Sequence, residues 1–305
     1  MTKALVTGGA GFIGSNLVDS LLENNFEVRV LDNLSSGKVK NLPENIELIK
    51  GDIRNEEIVK NALKGIDVVY HLAAQASVSV SMKEPILDAS VNTVGTLNIL
   101  NQAFNSEIDH FVFSSTGGAI YGEPEHIPPN ENSPEEPISI YGVSKLAAEK
   151  YVKFYEKLGL NCSILRFANV YGPRQDPFGE AGVISIFLNN ILNNKPIYVF
   201  GNGTSSRDYV FVKDITKVAI EILKKPTPKP LNIGSGNEII LNDLIKTIKS
   251  TIKKDFKVIY TDERDGDVKN IYLDCSKLQS HLGWIPATSL SDGLAQVWNW
   301  MKSRD

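Results

Sequence analysis

The chain has 305 residues, 42% of them hydrophobic, and a formal net charge of −4. That length holds one large domain or two modest ones, with enough apolar side chains for a full core. The lack of a basic block argues against nucleic acid as the main partner, and no apolar run is long enough to cross a membrane. The first apolar strand begins directly after Lys3, which leaves no room for a signal peptide. Cys162 and Cys275 make no C-x-x-C pair and read as packing residues. His71, His110, His126 and His281 show no metal-ligand spacing, so no metal is expected. These features predict a soluble, cytoplasmic protein.

Ala4-Leu5-Val6 is a short aliphatic run, suited to a buried strand. Ile13, Leu17 and Leu21 follow at helical spacing. Between them lies "TGGAGFIGS", in which Gly9, Gly11 and Gly14 spell G-x-G-x-x-G and Gly8 adds a G-x-x-G-x-x-G spacing. Glycines at a strand-to-helix turn allow a tight turn, close approach of a pyrophosphate to backbone N–H groups, and close helix–strand packing. Gly8, Gly11, Phe12, Ile13 and Gly14 are the candidate cofactor residues here. A second aliphatic run, Val28-Arg29-Val30-Leu31, ends in Asp32, eighteen residues past Gly14. A carboxylate at that strand tip accepts hydrogen bonds from ribose hydroxyls and repels a 2′-phosphate, which favours NAD over NADP.

Further aliphatic runs near 46–49, 67–72, 110–115 and 162–167 read as strands, with helical periodicity from Ala89 to Phe104 and from Tyr141 to Leu158. The alternation predicts an α/β fold, a Rossmann-type doubly wound parallel sheet covered on both faces. Residues 123–139 are rich in proline and acid and read as a surface loop. After residue 168 the pattern loosens. A helix is expected near 183–193, a strand ending at Phe200, a strand in "RDYVFVKD", a helix capped by Asp214 and another capped by Asn242. The expected division is a cofactor domain over 1–168, with a return near 207–232, and a smaller α/β substrate domain mainly over 169–305.

"YGVSK" opens the helix at Tyr141 and sets Tyr141 and Lys145 one turn apart on one face. An ammonium near a phenol lowers the phenol's pKa, and a positive nicotinamide would lower it further. Tyr141 is thus a candidate general base, and Lys145 can also bond the nicotinamide ribose.

With these motifs the chain resembles the extended short-chain dehydrogenase/reductases, in particular the UDP-glucose 4-epimerase (UDP-galactose 4-epimerase) group. "TGGAGFIGS", "LDNLSSG", "GDIRN", "VVYHLAA", "VNTVGTLNIL", "FSSTGGAIYGEP", "YGVSK", "RFANVYGPRQ", "FGNGTSSRDYVFVKD" and "LGW" occur in the family's order across the whole length. The resemblance implies NAD contacts from Asp32, Asn33, Ser36 or Gly37, from Asp52 and Ile53 at adenine, from Leu72, Ala73 and Ala74 beside nicotinamide, and from Asn92. It implies UDP-sugar contacts from Asn169, Phe200, Arg207 and Arg264, and places Ile271 beside the sugar's C2 substituent. It also implies a homodimer built on the helices near 89–104 and 141–158.

Two departures stand out. Many members have a lysine where this chain has Ala76. "SSTGGAIYG" is one residue longer than the family's usual S-S-S-A-T-V-Y-G, which leaves the catalytic hydroxyl on Thr116 first and Ser115 second. Dehydratases of the family carry an Asp-Glu pair directly after the active-site threonine. Here Gly117-Gly118 stands there and can donate no proton. A tyrosine, a lysine and a hydroxyl suffice for C4 epimerisation of a UDP-hexose. A UDP-glucuronate 4-epimerase, an NAD-dependent keto-sugar reductase and a non-catalytic NAD-binding regulator stay open as alternatives.

Overall fold

The computed structural model describes residues 1–178, 182–263 and 270–303. The apolar runs form β1 (Lys3–Thr7), β2 (Glu27–Asp32), β3 (Glu47–Lys50), β4 (Val68–His71), β5 (His110–Thr116) and β6 (Cys162–Phe167). With the late strand Leu231–Ile233 they make one seven-stranded sheet, ordered Leu231–Ile233, β6, β5, β4, β1, β2, β3, with every pairing parallel. This is the expected doubly wound α/β fold. The winding reverses between β1 and β4, and the crevice beyond those strand ends is where such sheets bind ligands.

Strand alternation sorts the core. Ala4, Val6, Val30, Tyr70 and Val112 face α1 (Phe12–Glu23) and the helix Val212–Glu221. Leu5, Val69, Phe111 and Phe113 face Ile99 and Leu100 of the helix Thr96–Asn105 and Ala148 and Val152 of the helix Ile140–Lys157. A third apolar cluster joins the helices Val183–Leu192, Leu241–Ile252 and Leu290–Lys302.

Three local expectations change. The helix expected over 89–104 is a helix at Pro85–Ala89, a widened π turn at Ser90–Gly95 and a helix at Thr96–Asn105. π turns inside helices cluster at functional sites, and this one carries Asn92. Asp214 does not cap its helix. The strand Tyr209–Phe211 runs straight into the helix, so Phe211 is the N-cap and Asp214 falls in the first turn. Its buried carboxylate instead accepts the N–H groups of Ala287 and Thr288. Asn242 likewise lies inside its helix, whose N-cap is Ile240. Its amide donates to Asn202 O and its Oδ1 accepts the Tyr260 hydroxyl.

Candidate active site

The glycine turn after β1 is shaped by contacts that exclude side chains. Gly8 has φ +70°, and a Cβ there would lie 2.7 Å from Ala73 N. That contact joins the end of β1 to the segment after β4, the two sides of the switch point. A Cβ on Gly9 would meet the Val30 methyls at 2.8 Å, and one on Gly14 would meet Gly8 O at 2.2 Å. A Cβ on Gly11 would meet only Gly8 O, at 3.1 Å, so that side of the turn is open. Gly11 is also the N-cap of α1 and gives it no side-chain acceptor. The first N–H groups of α1, among them those of Phe12 and Ile13, are thus left without a capping side chain, as a diphosphate site requires.

Asp32 sits buried at the tip of β2. Its Oδ2 accepts Ala10 N at 2.9 Å and its Oδ1 accepts Leu34 N at 2.8 Å. Gly37 closes on this carboxylate so tightly that a Cβ would lie 2.9 Å from both oxygens. Each oxygen keeps a second lone pair for a ribose hydroxyl. Asn33 and Ser36 are exposed beside it. Asn33 also reaches Asp52, whose carboxyl is held well below the usual range chiefly by its hydrogen bonds to Arg54. Ile53, expected at adenine, follows Asp52. Its side chain is buried in the core against Gly95, and its carbonyl accepts Asn98 Nδ2 at 2.7 Å.

The segment after β4 is tied from both ends. Ala73 N donates to Thr7 Oγ1, which also lies 2.7 Å from His71 Nδ1. Thr96 Oγ1 donates to Asn92 O and lies 2.9 Å from His71 Nε2. Nε2 therefore carries the ring proton and Nδ1 accepts from Thr7. Burial, with Lys145 nearby, pushes His71 down to about 3 and keeps it neutral. Farther on, Asn92 pins the main chain of Gln75 at 2.8 Å in both directions, accepting from N and donating to O. Leu72, Ala73 and Ala74 are half-buried along this wall.

Tyr141 and Lys145 begin the helix Ile140–Lys157, capped by Ser139 Oγ accepting Gly142 N at 3.1 Å. Gly142 lets the helix start close in. A Cβ there would lie 2.6 Å from Ala119 O, in the helical turn Gly117–Ile120 that follows Thr116. Lys145 is buried with its ammonium 4.3 Å from the Phe113 ring centre. Burial lowers it to about 8 against the opposing pull of Glu149 and Asp88. Tyr141 departs from the sequence argument. Burial, aided by Asp88, raises its phenol to about 12. The protein alone thus holds a phenol here, and the cation expected to draw off its proton is the oxidised nicotinamide.

The two candidate hydroxyls separate cleanly. Ser115 is buried and donates to Glu149 Oε1 at 2.6 Å, so it faces the helix and the core. Thr116 ends β5, is half-buried, and makes no cap bond with its side chain. Of the two expected hydroxyls, Ser115 thus has its donor committed to a buried network, and Thr116 does not. A Cβ on Gly117 would lie 2.4 Å from Leu273 Cδ1.

On the other side of the crevice, Arg207 lies in the two-residue strand Ser206–Arg207, paired with Ile239 on one side and Ile271 on the other. Arg207 Nη1 donates to Ser206 O. Ile271 is buried, outside the three main apolar clusters. Asn169 is half-buried, with its N–H on Asp208 O. Phe200 is exposed at the end of the strand Ile197–Phe200. Arg264 lies outside the described residues. Among the described residues no three His, Cys, Asp or Glu side chains are grouped to hold a metal, and no helix is long and apolar enough to cross a membrane.

Sequence reading missed Asp88, Gln75, Glu149 and Asp208. Asp208 is a buried carboxylate that accepts Ser235 N and Oγ, Gly236 N and Leu273 N, and so joins the Arg207 strand to the segment after Ile271. The available signal was spacing: Asp88 precedes Asn92 by four residues and Glu149 follows Lys145 by four.

Residues 4–234 match the NAD dependent epimerase/dehydratase family. The chain belongs to that family. Its cofactor is accordingly NAD, for which the open glycine turn and the Asp32 carboxylate fit. A provisionally named UDP-glucose 4-epimerase of Methanocaldococcus jannaschii is 46% identical over 303 residues, with 99% of each chain covered. The crystal structure of a UDP-glucose 4-epimerase with UDP-glucose from Thermotoga maritima superposes with a TM-score of 0.96 at 42% identity, covering 99% of both chains. A UDP-N-acetylglucosamine 4-epimerase from Methanobrevibacter ruminantium, in complex with UDP-N-acetylmuramic acid, superposes with a TM-score of 0.95 at 36% identity, covering 100% of this chain and 99% of that one. Family enzymes of two sugar preferences therefore share this fold nearly end to end.

Proposed function

We propose that the chain interconverts the C4 epimers of a UDP-hexose, UDP-glucose and UDP-galactose first, through a 4-keto sugar. The observation that carries this reading is the end of β5. Thr116 is followed by Gly117 and Gly118, so no acid/base carboxylate stands directly after it, and Leu273 Cδ1 packs where a Cβ on Gly117 would project. Bound NAD supplies the two-electron acceptor and donor for C4. Tyr141 takes and returns the proton of the C4 hydroxyl, Thr116 holds that hydroxyl, and Lys145 holds the ribose side and the charge. Asn169, Phe200, Arg207 and Arg264 hold the UDP, with guanidinium groups suited to phosphate oxygens. The sugar is held loosely enough to turn over between transfers.

The proposed division of labour follows the chain. Residues 1–168, with a return near 207–232, bind NAD, and 169–305 mainly bind the UDP-sugar. A cytoplasmic homodimer goes with this reading. It is supported by the apolar side chains exposed along the stretches 89–104 and 141–158, among them Val94, Phe104, Val143, Phe154 and Leu158. Light scattering tests the dimer. Incubation with UDP-glucose, UDP-N-acetylglucosamine and UDP-glucuronate, with the product sugars resolved, tests the reaction. C4 epimers without net NADH are expected. Steady NADH accumulation or a 4,6-dehydrated product would overturn the proposal.

A further inference from the structure

Asp88 is fully buried on the helix Pro85–Ala89, which packs against the helix carrying Tyr141 and Lys145, and it is underpartnered. Its Oδ2 accepts Gln75 Nε2 at 2.8 Å and Asn92 Nδ2 at 3.0 Å. Its Oδ1 is buried with no partner among the described residues. Among the described residues no lysine, arginine or histidine makes an ion pair with it. A buried carboxylate in this condition is costly unless a positive charge answers it. Its field reaches both Tyr141 and Lys145, where it favours the protonated form of each. The two residues it does bond are the ones that shape the wall Leu72–Gln75. Asn92 clamps the Gln75 main chain, and the Gln75 side chain both donates to Ser77 O and accepts Ser77 N.

We infer that Asp88 is the countercharge for the oxidised nicotinamide, so that it makes the site hold NAD+ in preference to NADH. This rests on the reading that the nicotinamide lies between Tyr141, Lys145 and the wall Leu72–Ala74. The oxidised ring carries one positive charge and the reduced ring none. A fixed negative charge nearby therefore binds the first more tightly and leaves the second almost unchanged. In an enzyme that must give back every pair of electrons it takes from C4, such a bias favours return to the sugar over an idle reduced state. Asp88 does not exchange a proton with the substrate in this scheme. It acts through its charge alone.

The test compares cofactor retention in the holoenzyme. Bound NAD+, and bound NADH made by borohydride reduction of the same protein, are each exchanged against isotopically labelled cofactor. Asp88→Asn is expected to speed NAD+ release relative to NADH release by on the order of tenfold, the effect of losing one charge in a protein interior of moderate dielectric. Gln75→Lys gives a second route should Asp88→Asn not fold. It sets an ammonium against Asp88 Oδ2 and should shift the ratio the same way. Gln75→Leu removes a hydrogen bond but keeps the charge, and should leave the ratio as in the wild type. Equal loosening of both cofactor forms in Asp88→Asn, or an unchanged ratio in Gln75→Lys, would overturn the inference. The dinucleotide released on denaturing the wild type separates the two levels. If it is not NAD, the reading of the site fails, whereas NAD with an unmoved ratio sinks the role of Asp88 alone.

Discussion

Two buried clusters of charge lie on one side of the sheet, a single turn apart on the helix Ile140–Lys157, and they are built by opposite rules. Around Glu149 every group is answered. Arg166 is fully buried, and its Nε and Nη2 bond Glu149 at 2.9 and 2.7 Å. Its Nη1 donates to the Tyr121 hydroxyl at 2.9 Å, which donates on to Asn232 Oδ1 at 2.7 Å. Glu135, from the acidic loop, completes the guanidinium, and Ser115 completes Glu149. Around Tyr141, Lys145 and Asp88 the groups are left short. A buried lysine is lowered, a phenol is raised, and a carboxylate oxygen has no donor. Saturated buried charge fixes a geometry. Unsaturated buried charge keeps its field for a ligand. The first cluster holds the end of β5 and the reactive helix in place so that the second can afford to be incomplete.

The contrast is sharpest in activity. Tyr141→Phe should keep the fold and bound NAD while turnover falls by about 10²–10⁴, the usual contribution of a general acid–base group. Near-normal turnover measured with UDP-galactose would remove Tyr141 from the role of base. In the saturated cluster the effect moves to stability. Glu149→Ala leaves a buried guanidinium short of its main partner and should cost about 3–5 kcal/mol in denaturant unfolding. A loss no larger than that of a surface substitution would mean that the network is slack.

Within β5 the comparison narrows to neighbouring residues. Thr116→Val removes a donor at the crevice and should slow turnover on the order of tenfold with UDP affinity retained. Ser115→Ala removes a donor to Glu149 and should cost about 1 kcal/mol of stability with little change in rate. The opposite pattern would return the catalytic hydroxyl to Ser115. The alkaline side of the rate profile probes the unsaturated cluster directly. Burial pulls the Lys145 ammonium down to about 8, and a positive nicotinamide beside it lowers this further. Activity should therefore begin to fall at or below that pH, well below the range of an exposed lysine, and a profile flat through that range would place Lys145 outside the reacting cluster.

What could be read from sequence follows the same line. The six strands β1–β6, the glycine turn, Asp32 and the Tyr141/Lys145 pair are set by local period and local spacing, and they stand where the sequence puts them. The caps assigned to Asp214 and Asn242 failed because a strand runs directly into each helix, which displaces a polar residue from N-cap to first turn. Ser115 and Thr116 could not be told apart in one dimension. The choice depends on which face of β5 meets Glu149, a residue 34 positions away. Asp88 carried no motif at all. Its character comes from Gln75 and Asn92 bonding one oxygen and nothing bonding the other. Periodicity reports burial, but only tertiary contacts report whether a buried charge is answered.

The smallest expected effect concerns sugar size. Ile271 is buried and pairs in register with Arg207, the proposed diphosphate ligand, so a change at 271 lies next to the anchored end of the substrate. Neighbouring Asn270 is itself tied by its Oδ1 to Ser206 N, which limits how far the strand can move to make room. Isoleucine is smaller than tyrosine and brings no hydroxyl. If it borders the C2 substituent, the wild type should epimerise both the unsubstituted UDP-hexoses and, more slowly, the UDP-N-acetylhexosamines. Ile271→Tyr should then lower kcat/KM for the N-acetyl pair several-fold relative to the unsubstituted pair, since overpacking by added bulk costs about 1–3 kcal/mol only where the larger group must fit. A swap that slows both pairs equally would mean that Ile271 supports the Arg207 strand rather than filtering the sugar. In that case Ile271 would belong with the saturated, geometry-holding parts of the molecule, and any N-acetyl activity would need another explanation.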